Sequence, residues 1–402
     1  MNPQPMRTPE AARTTTGKPV TKVPLLDLTR IDPQQLTELR AAFDRVLVSG
    51  HYIMGPEVDA FEKEVATLLG ANHAIGVSSG TDALILALMS LGIGPGDEVI
   101  CPTYTFFATA GSIWRVGAKP VFVDSDPLTY NATVDAIKKA VTPKTKAIMP
   151  VYLFGQCADM ESITAFAAER GIAVIEDAAQ ALTARSRGKA AGTIGTFGCF
   201  SFFPSKNLGC LGDGGLVTTQ DAALAEKARI LRVHGGKPKY YHKMVGGNFR
   251  IDALQAALLR VKLPALAAAT AARQRNAALY AELFTKAGVA AKTPAAPQAG
   301  TIGLPGIHAE HIVNQYVIRV PGGRRDAVKD ALGKKNIGTE VYYPVPLHLQ
   351  ECFASLGHKE GEFPHAERAA KETLALPVFP ELSTDEVRYV ADAVIAAAKG
   401  AS

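Results

Sequence analysis

From about residue 22 the chain alternates between stretches with helical spacing of apolar side chains and short runs that are apolar throughout. Residues 36–47 and 58–69 carry helical periodicity, and 81–91 (TDALILALMSL) is apolar enough for a buried helix. Short runs of β character follow at 98–101, 120–123, 147–151, 173–175, 199–203 and 215–218. Most are apolar on both faces and too short for helices. Helical stretches such as 159–170 separate several of them. Runs of this kind, joined by crossovers, predict an α/β fold with a parallel or mostly parallel sheet covered on both faces.

A further helix is expected over 221–233, ending near the pair Gly235-Gly236. A longer helical stretch runs from Asp252 to about Phe284 and is interrupted at Pro264. Residues 291–306, rich in Pro, Gly and Ala, read as a linker or surface loop. Beyond them the expected order is strand 314–320, helix 324–334, strand 338–343, loop, helix, strand and helix 384–398. That is a smaller α+β unit, whose face the N-terminal helix is expected to complete. The chain therefore divides into a tail at 1–20, a large domain at 21–262 and a smaller C-terminal domain at 263–402. No internal repeat is evident.

Composition changes this picture little. Of 402 residues, 47% are hydrophobic and 20% charged, ordinary values for a globular protein. The 43 basic and 38 acidic residues are interspersed, with no dense cationic run, which argues against a nucleic-acid partner. Five cysteines, an odd number without CxxC spacing, indicate neither a disulfide framework nor a metal site. The apolar runs fall short of a membrane span of about 18 residues. Residues 1–20 lack the apolar core of a secretory signal. The expected location is the cytoplasm.

Chemistry concentrates where strands end and helices begin, the ligand-binding edge of an open parallel sheet. Ser78-Ser79-Gly80-Thr81 precedes a helix and offers free N–H groups to a phosphate, or plain N-capping. An apolar run ends at Asp177, with Gln180 three residues on. A carboxylate there can hold a pyridine nitrogen protonated, or cap the next helix. Another run delivers Lys206 into a Gly-rich loop, with Ser201 five residues before it. A lysine among apolar groups becomes a nucleophile, although most lysines are simply exposed. Gly247-Asn248-Phe249-Arg250 precedes the helix starting near Asp252. Each signal alone is weak. Phosphate site, ring-nitrogen carboxylate and lysine in that chain order form a much more specific pattern.

At these residues the sequence resembles the DegT/DnrJ/StrS family of sugar aminotransferases, over about residues 24–382. The stretches SSGTDAL, PTYTFFAT, IEDAAQA, FSFFPSKNLGCLGDGG, GGNFRIDALQAALL and YYPVPLH carry the resemblance. It implies the aspartate-aminotransferase fold type, with a mostly parallel seven-stranded sheet, and pyridoxal 5'-phosphate (PLP) as cofactor. It further implies that Lys206 holds PLP as a Schiff base and shuttles the proton. Asp177 then pairs with the ring nitrogen and Gln180 faces the ring hydroxyl. Gly80, Thr81 and Ser201 bind the phosphate, and Phe106 stacks on the ring. Asn248 matches a phosphate contact supplied by a neighbouring subunit, which implies a homodimer. Arg250, Tyr342, Tyr343 and His348 lie in segments that line the sugar-nucleotide site.

The implied reaction is ping-pong transfer from L-glutamate to a nucleotide-linked keto-sugar, at C3 of a dTDP- or UDP-sugar ahead of C4 or cyclitol amination. Members that are dehydratases carry His where this chain has Lys206. Departures at Tyr152, Phe154, Thr183 and Thr196 are expected to bear on the substrate. A non-catalytic regulator with this fold would not need Lys206, Asp177 and Gln180 together. A nicotinamide enzyme would need a G-x-G-x-x-G turn after its first strand, and Gly92, Gly94 and Gly96 follow a helix instead.

Overall fold

The computed structural model describes residues 19–308 and 310–400. A seven-stranded sheet forms its centre. The strands are β1 (His73–Val77), β2 (Glu98–Pro102), β3 (Lys119–Val123), β4 (Thr145–Ile148), β5 (Ala173–Asp177), β8 (Phe197–Ser201) and β9 (Gly215–Thr219), with a small hairpin β6 (Arg185–Ser186) and β7 (Lys189–Ala190) beside them. Their order is β1-β9-β8-β5-β4-β2-β3. The pairs from β3 through to β8 are parallel, and β9 runs antiparallel to both β8 and β1. The mostly parallel seven-stranded sheet is thus as expected.

Side chains alternate across this sheet. Ile100, Ile148, Val174 and Phe200 join one core, with α1 (Pro33–Ser49), α2 (Pro56–Leu69), α6 (Met160–Ala168) and α8 (Ala253–Lys262) over it. Val99, Ala147, Ile175 and Cys199 join the opposite core, covered by α3 (Gly80–Leu91), α4 (Ala108–Arg115) and α7 (Ala222–Arg232). Burial on both faces is why these strands read as continuous apolar runs. Strand β1, helix α4 and the short helix α5 (Val134–Ala140) were not legible in the pattern. The interruption at Pro264 is a 3-10 turn, Leu263–Ala265, between α8 and α9 (Leu266–Lys286). On length and composition alone Ala253–Lys286 could cross a membrane. Here its inner side packs into both halves of the protein.

A second core surrounds an antiparallel pair, β10 (Tyr316–Arg319) and β11 (Thr373–Leu376), with α9, α10 (Arg325–Lys334) and α12 (Thr384–Lys399). Helix α11 (Pro364–Glu372) lies between the two halves, with Ala366, Ala369 and Ala370 packed beside Tyr104 and Val317. Two expectations are corrected. Residues 338–343 form no strand, because only Glu340 bridges to Ala375 before the chain turns away. The N-terminal helix does not complete the small unit. Its Leu39, Ala42 and Val46 belong to the large core, packed on α8. The extended segment before it does that work: Val23 bridges Ile337, and Arg30 Nη2 lies 2.6 Å from Glu386 of α12. Val23, within the range expected for the large domain, packs in the small core. Of the expected tail, residues 1–18 lie outside the described residues.

Candidate active site

Asp177 closes β5 at the carboxyl edge of the sheet and is 5% exposed. Strand alternation sends it and its neighbour to opposite faces. Glu176, on the α6 and α8 side, accepts from Tyr152 Oη at 2.5 Å and from the backbone N–H groups of Gly192, Ile194 and Gly195 at 2.6–2.7 Å. Those bonds fold the turn leading into β8. Asp177, on the α3 and α4 side, accepts from Thr109 Oγ1 at 2.7 Å and from the Ala179 N–H at 3.3 Å. Burial pushes the Asp177 carboxyl upward. The Thr109 bond, the Ala179 N–H and the charge of Lys206 oppose that shift.

Glu176 sets the scaffold beneath this edge. Glu176→Ala is expected to cost about 3 kcal/mol or more of stability, because it strands a buried hydroxyl and three amides. Urea unfolding monitored by circular dichroism measures this. A loss under about 1 kcal/mol would show those donors finding other partners.

Lys206 follows β8, in a turn closed by its own N–H donating to the Phe203 carbonyl at 2.8 Å. Its amine makes no hydrogen bond or ion pair with the described residues. Burial lowers its pKa to about 8, against the opposing charge of Asp177. An unpaired amine in that range is partly neutral near physiological pH, the state a nucleophile needs.

The turn into α3 meets the end of β8 directly. A Cβ added at Gly80 would fall 2.7 Å from the Ser201 Cβ, so only glycine permits this approach. Ser79 caps the helix by accepting from the Asp82 N–H at 3.0 Å. The N–H groups of Gly80 and Thr81 precede the first intrahelical bond and stay free for a ligand. Gly80, Thr81, Ser201, Asp177 and Lys206 thus gather at one edge of the sheet.

The ring of Phe106 is 56% exposed and its centroid stands 5.9 Å from that of Tyr343. Gln180 Nε2 donates to Tyr343 Oη at 3.3 Å, while Gln180 Oε1 accepts from the Phe154 N–H at 2.7 Å. Tyr342 is half-buried beside Gln315. Asn248 is exposed. Arg250 bridges Val77 through its backbone, and its Nε is buried without a hydrogen-bond partner.

His348 is enclosed by protein. It is 2% exposed, with Nδ1 2.8 Å from Thr103 Oγ1 and Nε2 3.2 Å from Glu367 Oε1. Both ring nitrogens have protein partners in this structure. The departures expected to bear on the substrate also fall in the scaffold. Tyr152 and Phe154 are buried, and Tyr152 holds Glu176. Thr183 sits at φ 75°, where glycine is favoured. Thr196 accepts from the Val174 N–H at 3.1 Å.

Sequence reasoning passed over Thr105, Thr109 and Tyr104. All lie in or beside the PTYTFFAT stretch. Nothing in the residue pattern marks a buried threonine as the partner of a carboxylate 68 residues away.

Known proteins resemble this one along most of the chain. The DegT/DnrJ/EryC1/StrS aminotransferase family matches residues 33–395. The chain is 49% identical to the pleiotropic regulatory protein of Geobacillus stearothermophilus, over 92% of this chain and 97% of that protein. It is 45% identical to the UDP-N-acetyl-3-dehydro-alpha-D-glucosamine 3-aminotransferase of Acidithiobacillus ferrooxidans, over 93% and 97% respectively. It also resembles the crystal structure of S. venezuelae DesV in complex with a ketimine intermediate. There the TM-score is 0.88, with 40% identity over 94% of this chain and 99% of that one.

Proposed function

The chain belongs to the DegT/DnrJ/EryC1/StrS aminotransferase family, and we propose that it moves the amino group of L-glutamate to C3 of a dTDP- or UDP-linked 3-keto sugar. As a member of that family it is a PLP-dependent aminotransferase. The substrate class is carried by the A. ferrooxidans relative, whose name specifies a UDP-linked 3-keto sugar. The observation that carries the chemistry is a buried carboxylate, Asp177, at the same sheet edge as a partner-free amine, Lys206, whose pKa is lowered to about 8.

The residues present fit PLP. Gly80 lets the free N–H end of α3 lie directly against Ser201, where a Cβ would collide, so amide donors and a hydroxyl sit together as a phosphate needs. Asp177 is an acceptor suited to a protonated ring nitrogen, and Lys206 is an amine suited to an aldehyde. When bound, PLP supplies the electron sink that makes the donor's α-proton acidic. In this reading Gly80, Thr81 and Ser201 hold the phosphate. Asp177 keeps the ring nitrogen protonated, Phe106 covers the ring face and Gln180 faces the ring hydroxyl. Lys206 takes the α-proton of glutamate, and in the second half-reaction returns a proton to the sugar carbon. Tyr342, Tyr343 and Arg250 are the substrate contacts.

The working unit in this reading is a homodimer. Exposed Asn248 reaches the phosphate of the partner subunit. Leu47, Val48, Tyr52, Ile53 and Val245, each more than half exposed, give a second copy apolar surface to cover. The cysteines are free, which accords with a reducing cytoplasm.

The test is the visible spectrum of the purified protein with PLP, before and after L-glutamate, followed by 3-keto and 4-keto nucleotide sugars. The expected result is a visible band, lost on adding glutamate with release of 2-oxoglutarate and restored by a 3-keto sugar. Restoration by 4-keto sugars alone would move the reaction to C4. A protein that stays colourless would sink the enzyme reading in favour of a regulator, the role named in the G. stearothermophilus relative.

A further inference from the structure

The segment between β2 and α4 and the first turn of α4 carry four buried hydroxyls, on Thr103, Tyr104, Thr105 and Thr109. Two of them line up behind the carboxylate of the site. Thr109 Oγ1 lies 2.7 Å from Asp177 Oδ2 and 3.1 Å from Thr105 Oγ1. Chemistry decides which atom donates. An ionised carboxylate offers only lone pairs, so the Thr109 proton points at Asp177. Thr109 then has only lone pairs left for Thr105, so the Thr105 hydroxyl donates to Thr109. The direction Thr105 to Thr109 to Asp177 holds as long as Asp177 is charged.

We infer that Thr109 is a positioning residue that keeps Asp177 ionised and aimed at the ring nitrogen of PLP, with Thr105 orienting Thr109. This rests on the reading of Asp177 given above. A hydrogen bond to a charged acceptor is among the stronger kinds, and here it acts in a buried site. Among the influences that keep the Asp177 carboxyl acidic, the Thr109 bond comes first, ahead of the Ala179 N–H and Lys206. The other titratable groups facing Asp177 are Cys101 of β2, Cys199 of β8 and Tyr343. Burial pushes both thiols and the phenol upward, so they stay neutral. Among the described residues, Lys206 is the cation whose charge acts on Asp177. Glu176 points to the opposite face into its own four donors.

The consequence is spectroscopic as well as kinetic. A carboxylate that ionises less readily keeps more of the shared proton on its own oxygen, leaving the ring nitrogen less protonated. The ring then draws less charge from the Lys206 nitrogen bonded to it. That nitrogen keeps its proton to higher pH, which moves the titration of the bound cofactor's visible band.

The test titrates that band in the PLP-loaded protein and measures PLP affinity for wild type, Thr109→Val and Thr109→Ser. Valine keeps the shape and removes the hydroxyl, while serine keeps the hydroxyl. For Thr109→Val the midpoint is expected to rise by about half a unit to one unit and PLP to bind on the order of tenfold more weakly. Thr109→Ser is expected to restore both. Thr105→Val is expected to move the midpoint the same way by less, and to add nothing on top of Thr109→Val. Should Thr109→Val fail to fold, Thr105→Val alone decides, because its hydroxyl reaches Asp177 only through Thr109. A wild-type midpoint and affinity in the valine variants would overturn the inference, as would a serine variant that behaves like valine. A wild type that takes no colour with PLP would overturn the reading of Asp177 and this inference with it.

Discussion

Lys206→Ala is expected to abolish transamination, with glutamate-dependent release of 2-oxoglutarate falling by about four orders of magnitude or more. Two contributions disappear together. The covalent link to PLP is lost, and so is the base that moves the α-proton, itself worth roughly a hundred- to ten-thousand-fold. In wild type, capture of PLP by the apoprotein is expected to speed up as pH rises through about 8, where the amine loses its proton. The variant should show no such dependence. Stability should move the other way. The lysine pKa is depressed from 10.5 in the unfolded chain to about 8 in the fold. Its cost to folding is therefore fully present below about 8 and fades as pH rises towards 10.5. Apo Lys206→Ala is thus expected to melt higher than apo wild type near neutral pH, with the gap closing in alkali. A variant that kept a tenth of the activity would remove Lys206 from the chemistry.

The elements legible in the sequence are those whose signal is local. Strand β5 is a short apolar run buried on both faces that ends in a carboxylate, and β8 ends just before a lysine, so both the sheet and its reactive edge are visible as pattern. Helix α4 is not, because eight residues with Gly111 among them leave too short a period to detect. The strand expected at 338–343 fails for another reason. Val341, Tyr342 and Tyr343 have strand-like side chains, yet Tyr104 Oη donates to the Tyr342 carbonyl and draws this segment to the site edge instead of into the β10–β11 pair. The small core takes Val23 from the far end of the chain, a contact no window over neighbouring residues contains. His348 shows the limit of motif reading. The residue type suits a ligand, but whether it faces a ligand or Thr103 and Glu367 is set by packing.

Asp177→Asn separates shape from charge at the same edge. Asparagine has nearly the same outline, and its carbonyl oxygen still accepts the Thr109 hydroxyl, so the variant is expected to fold and to keep β5 in place. What it cannot do is carry the negative charge that holds a ring nitrogen protonated. The glutamate half-reaction is expected to slow by about a hundred- to a thousandfold, the scale of losing one preorganised electrostatic partner at a reacting centre. Single-turnover decay of the visible band measures it without interference from the sugar half-reaction. Because Lys206 remains, colour should still form, which distinguishes this variant from Lys206→Ala. The two substitutions therefore assign the two halves of the chemistry separately: the amine that bonds and moves the proton, and the carboxylate that makes that proton acidic enough to move. A rate within tenfold of wild type would mean that the ring works without a protonated nitrogen, and the buried Asp177–Thr109 pair would then be scaffold.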